Sequence, residues 1–237
     1  MNKILGALLI GLMLTVGGSI ARAGSLEDGV AALQRGDYAT ALRVFQPLAA
    51  QGDAIAQNNL GAMYENGSGV PQDYREAAKW YQLSAAQGNV RAQSNLGLIY
   101  VNGLGIRKDY NEALKLFRLA AAQGNAPARV NLGKLYFDGQ GIPQDYNEAF
   151  KLFWLAAAQG DATAQKNIGL MYANGQGVHR DYVRSYIWLT VSVANRGALT
   201  PETLRSIASH ISIEQVDFAR KLAMQCKESN YKQCGEP

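Results

Sequence analysis

Between residues 53 and 88, apolar residues follow two helical stripes with a polar break between them. Ala56, Leu60 and Tyr64 stand at i, i+4 and i+8, which is one face of a helix. Tyr74, Ala77, Tyr81 and Ala85 mark a second stripe. The stretch Asn66-Gly67-Ser68-Gly69-Val70-Pro71-Gln72 has no period and is built from turn residues. The pattern therefore predicts helix, glycine loop, helix. The punctuation agrees. Gly52 can take the left-handed conformation that ends a helix, and Asp53 can cap the next one. Asp73 can cap the second helix, and Glu76 three residues on would complete a capping box.

The same pattern returns every 36 residues. The glycine pairs are Gly67/Gly69, Gly103/Gly105, Gly139/Gly141 and Gly175/Gly177, each followed by Asp-Tyr, as in Asp73-Tyr74 and Asp181-Tyr182. Capping boxes are predicted again at Asp109/Glu112 and Asp145/Glu148, whereas the fourth copy has Asp181 with Arg184. Gly61, Gly97, Gly133 and Gly169 recur inside the first helix, where glycine costs about 1 kcal/mol relative to alanine. Their recurrence predicts a ring or backbone in close approach. Asn59, Asn95, Asn131 and Asn167 also recur. They read as residues that satisfy backbone groups between units, with a peptide clamp as the alternative. A period of this length means a stack of helical units, which offers a long surface for a partner.

These residues carry a resemblance. The pattern Ala-x-x-x-Leu-Gly-x-x-Tyr-x-x-Gly-x-Gly-x-x-x-Asp-Tyr-x-x-Ala resembles the Sel1-like repeat (SLR) family, a relative of tetratricopeptide repeats. It covers 54–197 in four copies. Residues 24–53 resemble a degenerate tetratricopeptide-like pair, with Gly36-Asp37-Tyr38 but no glycine loop. In 198–237, Thr200-Pro201 and the capping box Ser212/Gln215 predict two capping helices and a tail. The resemblance implies an all-α, right-handed α/α solenoid of about twelve helices whose first helices line the concave side. On that side the positions that differ between copies form a mixed groove of Arg91, Leu98, Val101, Val130, Lys134, Phe137, Lys166 and Leu170, the alternative being that several of them pack against the adjacent unit. A groove of this kind suits a peptide with some acidic character. The family resemblance implies an adaptor that binds another protein. An envelope scaffold for polysaccharide or cell-wall machinery shares the same physics. A β-lactam hydrolase, suggested by cysteine-rich relatives, fits poorly because the repeats here contain no cysteine.

Composition adds an address. Lys3, the apolar run Ile4–Ile20 and Ala21-Arg22-Ala23 read as a signal peptide over 1–23. The run is too short for a retained span, which needs about 20 apolar residues. The expectation is an exported chain starting at Gly24, in the periplasm or secreted, with no integral membrane segment after cleavage. The net charge of +4 falls to +2 without Lys3 and Arg22, and no basic run exists, so nucleic acid is not an expected partner. Cys226 and Cys234 are the two cysteines, and in an exported chain they read as a disulfide. His179 and His210 have no second ligand at i+3 or i+4, so no metal is expected. The glycine loops lack the Lys-Ser/Thr of a phosphate loop, and the repeated acids read as helix caps. No catalytic residue and no cofactor are expected.

Overall fold

The capping residues decide where each helix begins and ends. In this computed structural model, which describes residues 25–231 and Cys234, there are twelve helices and no strand among the described residues. The signal peptide expected over 1–23 lies outside the described residues. Helices α1 (Leu26–Gln34) and α2 (Tyr38–Ala50) form an opening pair. The four repeats are α3 (Ala54–Asn66) with α4 (Tyr74–Ala86), α5 (Val90–Asn102) with α6 (Tyr110–Ala122), α7 (Ala126–Asp138) with α8 (Tyr146–Ala157), and α9 (Ala162–Asn174) with α10 (Tyr182–Ala194). Helices α11 (Pro201–Ala208) and α12 (Ile213–Glu228) close the chain. Each helix packs on its predecessor and its successor up to α10, which gives an α/α solenoid.

Asp53, Asn89, Asn125 and Asp161 cap the first helices, each accepting from a backbone N–H of the first turn. Asp73, Asp109, Asp145 and Asp181 cap the second helices in the same way. The predicted capping boxes at Asp73, Asp109 and Asp145 do not close, and the reason is local. The backbone N–H of each of these aspartates already donates to a tyrosine carbonyl of the first helix, at Tyr64, Tyr100 and Tyr136. Glu76, Glu112 and Glu148 turn outward instead to Lys79, Lys115 and Lys151, at 2.7, 3.7 and 3.3 Å. Ser212 and Gln215 do form the predicted box. Thr200 sits at the start of α11 but makes no capping bond; its hydroxyl lies 3.1 Å from that of Thr203.

The helical glycines hold the helices of one repeat together. A Cβ on Gly61, Gly97 or Gly133 would sit 2.8, 2.5 or 2.7 Å from the ring of Tyr81, Phe117 or Phe153. At Gly169 the neighbour is Leu189, at 2.7 Å. The second glycine of each loop holds successive repeats together. Gly69, Gly105, Gly141 and Gly177 lie on Tyr38, Tyr74, Tyr110 and Tyr146, the first residues of the preceding second helices. The opening pair is thus stacked as a repeat although it lacks the loop itself.

A row of buried amides links three helices at a time. Gln57, Gln93 and Gln165 donate to the carbonyls of Ala49, Ala85 and Ala157 at the end of the preceding second helix. They accept in turn from Gln87, Gln123 and Asn195 at the end of their own repeat, at 2.8, 2.9 and 2.8 Å. Arg129 takes this place in the third repeat and donates to Ala121 and Leu155 carbonyls. The expectation that Asn59 and its equivalents satisfy backbone between units is therefore corrected: glutamine does this work.

At the C-terminal end the stack is closed from the side. On α10, Val193 is 44 % exposed, whereas its equivalents Ala85, Ala121 and Ala157 are buried. Ile187 and Val191 are buried, whereas their equivalents Lys151 and Leu155 are exposed. Helix α12 therefore covers the face of α10 turned away from the first helices. Small residues Ala219, Ala223 and Cys226 let it sit close, and Arg220 donates to the Tyr186 hydroxyl. Cys226 and Cys234 are disulfide-bonded, with Cα atoms 4.5 Å apart. The His210 ring stacks on Tyr182 with centroids 4.3 Å apart. Tyr182 is the residue on which the loop glycine of a further repeat would lie.

Candidate partner-binding face

The first helices α3, α5, α7 and α9 share one side of the solenoid, and four positions recur along it. The first, Ile55/Arg91/Pro127/Thr163, is exposed throughout. The second, Asn58/Ser94/Val130/Lys166, is buried in its first three members. Val130 was expected in the groove and is instead core, at 4 % exposure. It packs in one cluster with Ala164, Ile168 and Met171 of the next first helix. The same neighbour relation appears at Asn58, whose side-chain oxygen accepts from Asn95 on α5. Lys166 stands in the last repeat, with no further first helix to cover it, and stays half-exposed.

The third position, Ala62/Leu98/Lys134/Leu170, and the fourth, Glu65/Val101/Phe137/Ala173, are half-buried or exposed except at Ala173. Between α7 and α9 they open a cleft of about 300 Å³. Lys134, Phe137 and Leu170 come together there, with Phe153 and Met171 also lining it. Asp138, Asn167, Asn174 and Gln176 supply the polar lining. Phe137 is half-buried and meets Tyr146 edge to face at 5.0 Å, so it both packs and lines. Arg91, Leu98 and Val101 belong to α5 and do not line this cleft. Leu98 is 36 % exposed and Val101 half-buried against Leu132 and its neighbours.

Asn167 was legible only as one of four recurring asparagines. Asn95 is engaged with Asn58 and with the Tyr81 hydroxyl. Among the described residues, the half-buried carboxamides of Asn59, Asn131 and Asn167 have no hydrogen-bond partner within the chain. A carboxamide offers two donors and an acceptor, which matches a peptide backbone.

Two further polar clusters lie elsewhere in the stack. Tyr81 donates to Glu65 at 2.6 Å across the first repeat. Burial, and then this bond, push its phenol far above the ordinary range. A hollow of about 420 Å³ beside the fourth loop is lined by His179, Arg180 and Arg184 with Asp181 and Tyr172. Arg184 is already engaged there, donating to the Tyr172 hydroxyl and pairing with Asp181 at 3.6 Å. Among the described residues no group of three His, Cys, Asp or Glu could hold a metal ion, and no helix is long and apolar enough to cross a membrane.

The family model for the Sel1 repeat matches residues 54–89, 90–125, 126–161 and 162–192. A Sel1 repeat protein from Oxalobacter formigenes is similar in structure with a TM-score of 0.73 and 34 % identity, over 85 % of this chain and 84 % of that one. A protective antigen present in uropathogenic Escherichia coli strains, described as displaying an SLR fold, gives a TM-score of 0.50 and 25 % identity. The alignment covers 87 % of this chain and 58 % of that one. An immunity protein from Pseudomonas aeruginosa is 20 % identical with a TM-score of 0.54, over 90 % and 87 % of the two chains, a likeness of fold alone. No curated protein gives a significant match.

Proposed function

The chain belongs to the Sel1 repeat family, and on that footing we propose that it is an exported adaptor that holds a partner protein along the first-helix side. The fold is that of a protein-interaction scaffold. The observation that carries the finer reading is the cleft between α7 and α9. It joins an apolar lining of Phe137, Phe153 and Leu170 to Lys134 and to the unpaired amide of Asn167, while Asn174 donates to Gln176 at 3.2 Å. Such a site takes one apolar side chain of an extended segment while the Asn167 amide holds its backbone. Arg91, Lys134 and Lys166 outnumber Glu65 and Asp138 on this side, which favours an acidic segment.

Export rests on the signal-like segment 1–23. Envelope or culture-fluid protein should begin at Gly24 by intact mass; protein still carrying Met1 to Ala23 would reject it. For the groove, a photo-crosslinking residue at Leu170 or Leu98 in cells should give a discrete adduct, and Lys134→Glu should weaken it. Adducts from Leu83 alone, with none from Leu98 or Leu170, would move binding off this side.

A further inference from the structure

The exposed apolar surface of this molecule is concentrated opposite the proposed groove. Ten large hydrophobic side chains are exposed among the described residues. Seven of them lie on α4, α6, α8, α10 and α12, and only Ile55 and Leu98 lie on the first helices of the repeats. Single exposed leucines are ordinary. Here, however, Leu83, Leu119 and Leu155 stand at one position in three successive repeats, 51, 47 and 48 % exposed. Their equivalent in the fourth repeat, Val191, is 1 % exposed.

The fourth repeat shows what covers this face. There the chain replaces Arg75/Lys79/Leu83 with Val183/Ile187/Val191 and lays α12 over them. The outward face of a second helix thus accepts a helix, and in the other three repeats it is unoccupied. Helix α12 has apolar surface to spare. Ile213, Phe218 and Met224 are 79, 56 and 59 % exposed. One molecule therefore carries both halves of a contact on one side: an open leucine row and, beside it, a helix with unburied apolar edges.

We propose that this outer face is a self-association surface. In a twofold pair, the exposed edges of α12 from one copy rest on the leucine row of the other, and the reverse. When both halves engage at once about the twofold axis, the contact closes on itself and does not run on into a fibre. The charges allow it. Each rung holds its own Glu–Lys pair, at Glu76–Lys79, Glu112–Lys115 and Glu148–Lys151, and α12 pairs Asp217 with Arg220 at 3.5 Å. These local pairs limit like-charge repulsion between the faces, and Arg75 adds one exposed positive charge to the row.

The test is sedimentation velocity of the mature chain, residues 24–237, across a wide concentration range. The expected result is a reversible monomer–dimer equilibrium. Leu119→Glu with Leu155→Glu should weaken it by about thirtyfold, the loss expected for hot-spot contacts. Phe218→Glu with Met224→Glu should do the same. All four residues are about half-exposed, and circular dichroism should show unchanged folding. Lys134→Glu, on the groove side, should leave the dimer intact. A wild-type chain that stays monomeric throughout would overturn the proposal. So would a dimer that both outer-face double variants leave unchanged, or one that Lys134→Glu disrupts.

Discussion

Single residues in this chain are understood best in pairs. Gly97 and Phe117 are one such pair, because the ring fills the space that a side chain on residue 97 would need. Gly97→Val should therefore destabilise by about 1–3 kcal/mol through overpacking, read as a lowered midpoint in chemical denaturation. Gly133→Val should behave alike against Phe153. Tyr81 and Glu65 form another pair. Tyr81→Phe leaves Glu65 without its donor and should cost about 1.5–3 kcal/mol, the range for a hydrogen bond to a charged group. The second repeat has Phe117 and Val101 at these two positions. The double change Tyr81→Phe, Glu65→Val should then recover much of the loss, and a thermodynamic cycle would measure the coupling. Helical glycines were legible in the sequence because four copies made a costly residue conspicuous. Val130 misled because the sequence shows which positions vary but not which neighbour covers them, and here the next first helix does.

At the scale of the helix, caps and amides do different jobs. Asp109 caps α6 through backbone N–H groups, so Asp109→Ala should cost about 1 kcal/mol. Glu112 closes no box and pairs only with Lys115 at the surface, so Glu112→Ala should change stability by a few tenths of a kcal/mol at most. The two variants side by side in urea denaturation separate a true capping box from its sequence signature. That signature misled because it does not reveal that Tyr100 already holds the backbone N–H of Asp109. Gln165 is a stronger case. It is fully buried, donates to Ala157 and accepts from Asn195. Gln165→Leu strands both partners and should cost about 2 kcal/mol or more. Its place in the fold was visible as Gln57, Gln93 and Gln165 at the repeat spacing, but Arg129 interrupts the series, and a helical glutamine reads as surface until burial is known.

For the whole molecule, the repeat period gave the architecture and the ends had to be seen. A chain cut after residue 197 loses α11 and α12 and uncovers Ile187 and Val191, whose equivalents in the other repeats are exposed. It should scatter light at concentrations where the full chain is clear, and unfold at lower denaturant. Removing the bond by Cys226→Ala with Cys234→Ala should cost about 2–3 kcal/mol, because the loop it closes is short. The sequence hinted at this end through the apolar run Tyr186–Val191, but gave no sign that His210 would stack on Tyr182. That contact has a consequence for how such a protein can lengthen. Each tyrosine at the head of a second helix is a docking seat, and every seat from Tyr38 to Tyr146 holds a glycine from the next unit. At Tyr182, where the next seat would be, the ring is stacked against the chain's own imidazole. A unit duplicated upstream brings both a loop glycine and a seat of its own, so the stack closes around it, whereas one added after Tyr182 must dock beside the imidazole stacked there. Gene duplication therefore extends this array more readily from its middle than beyond its last tyrosine.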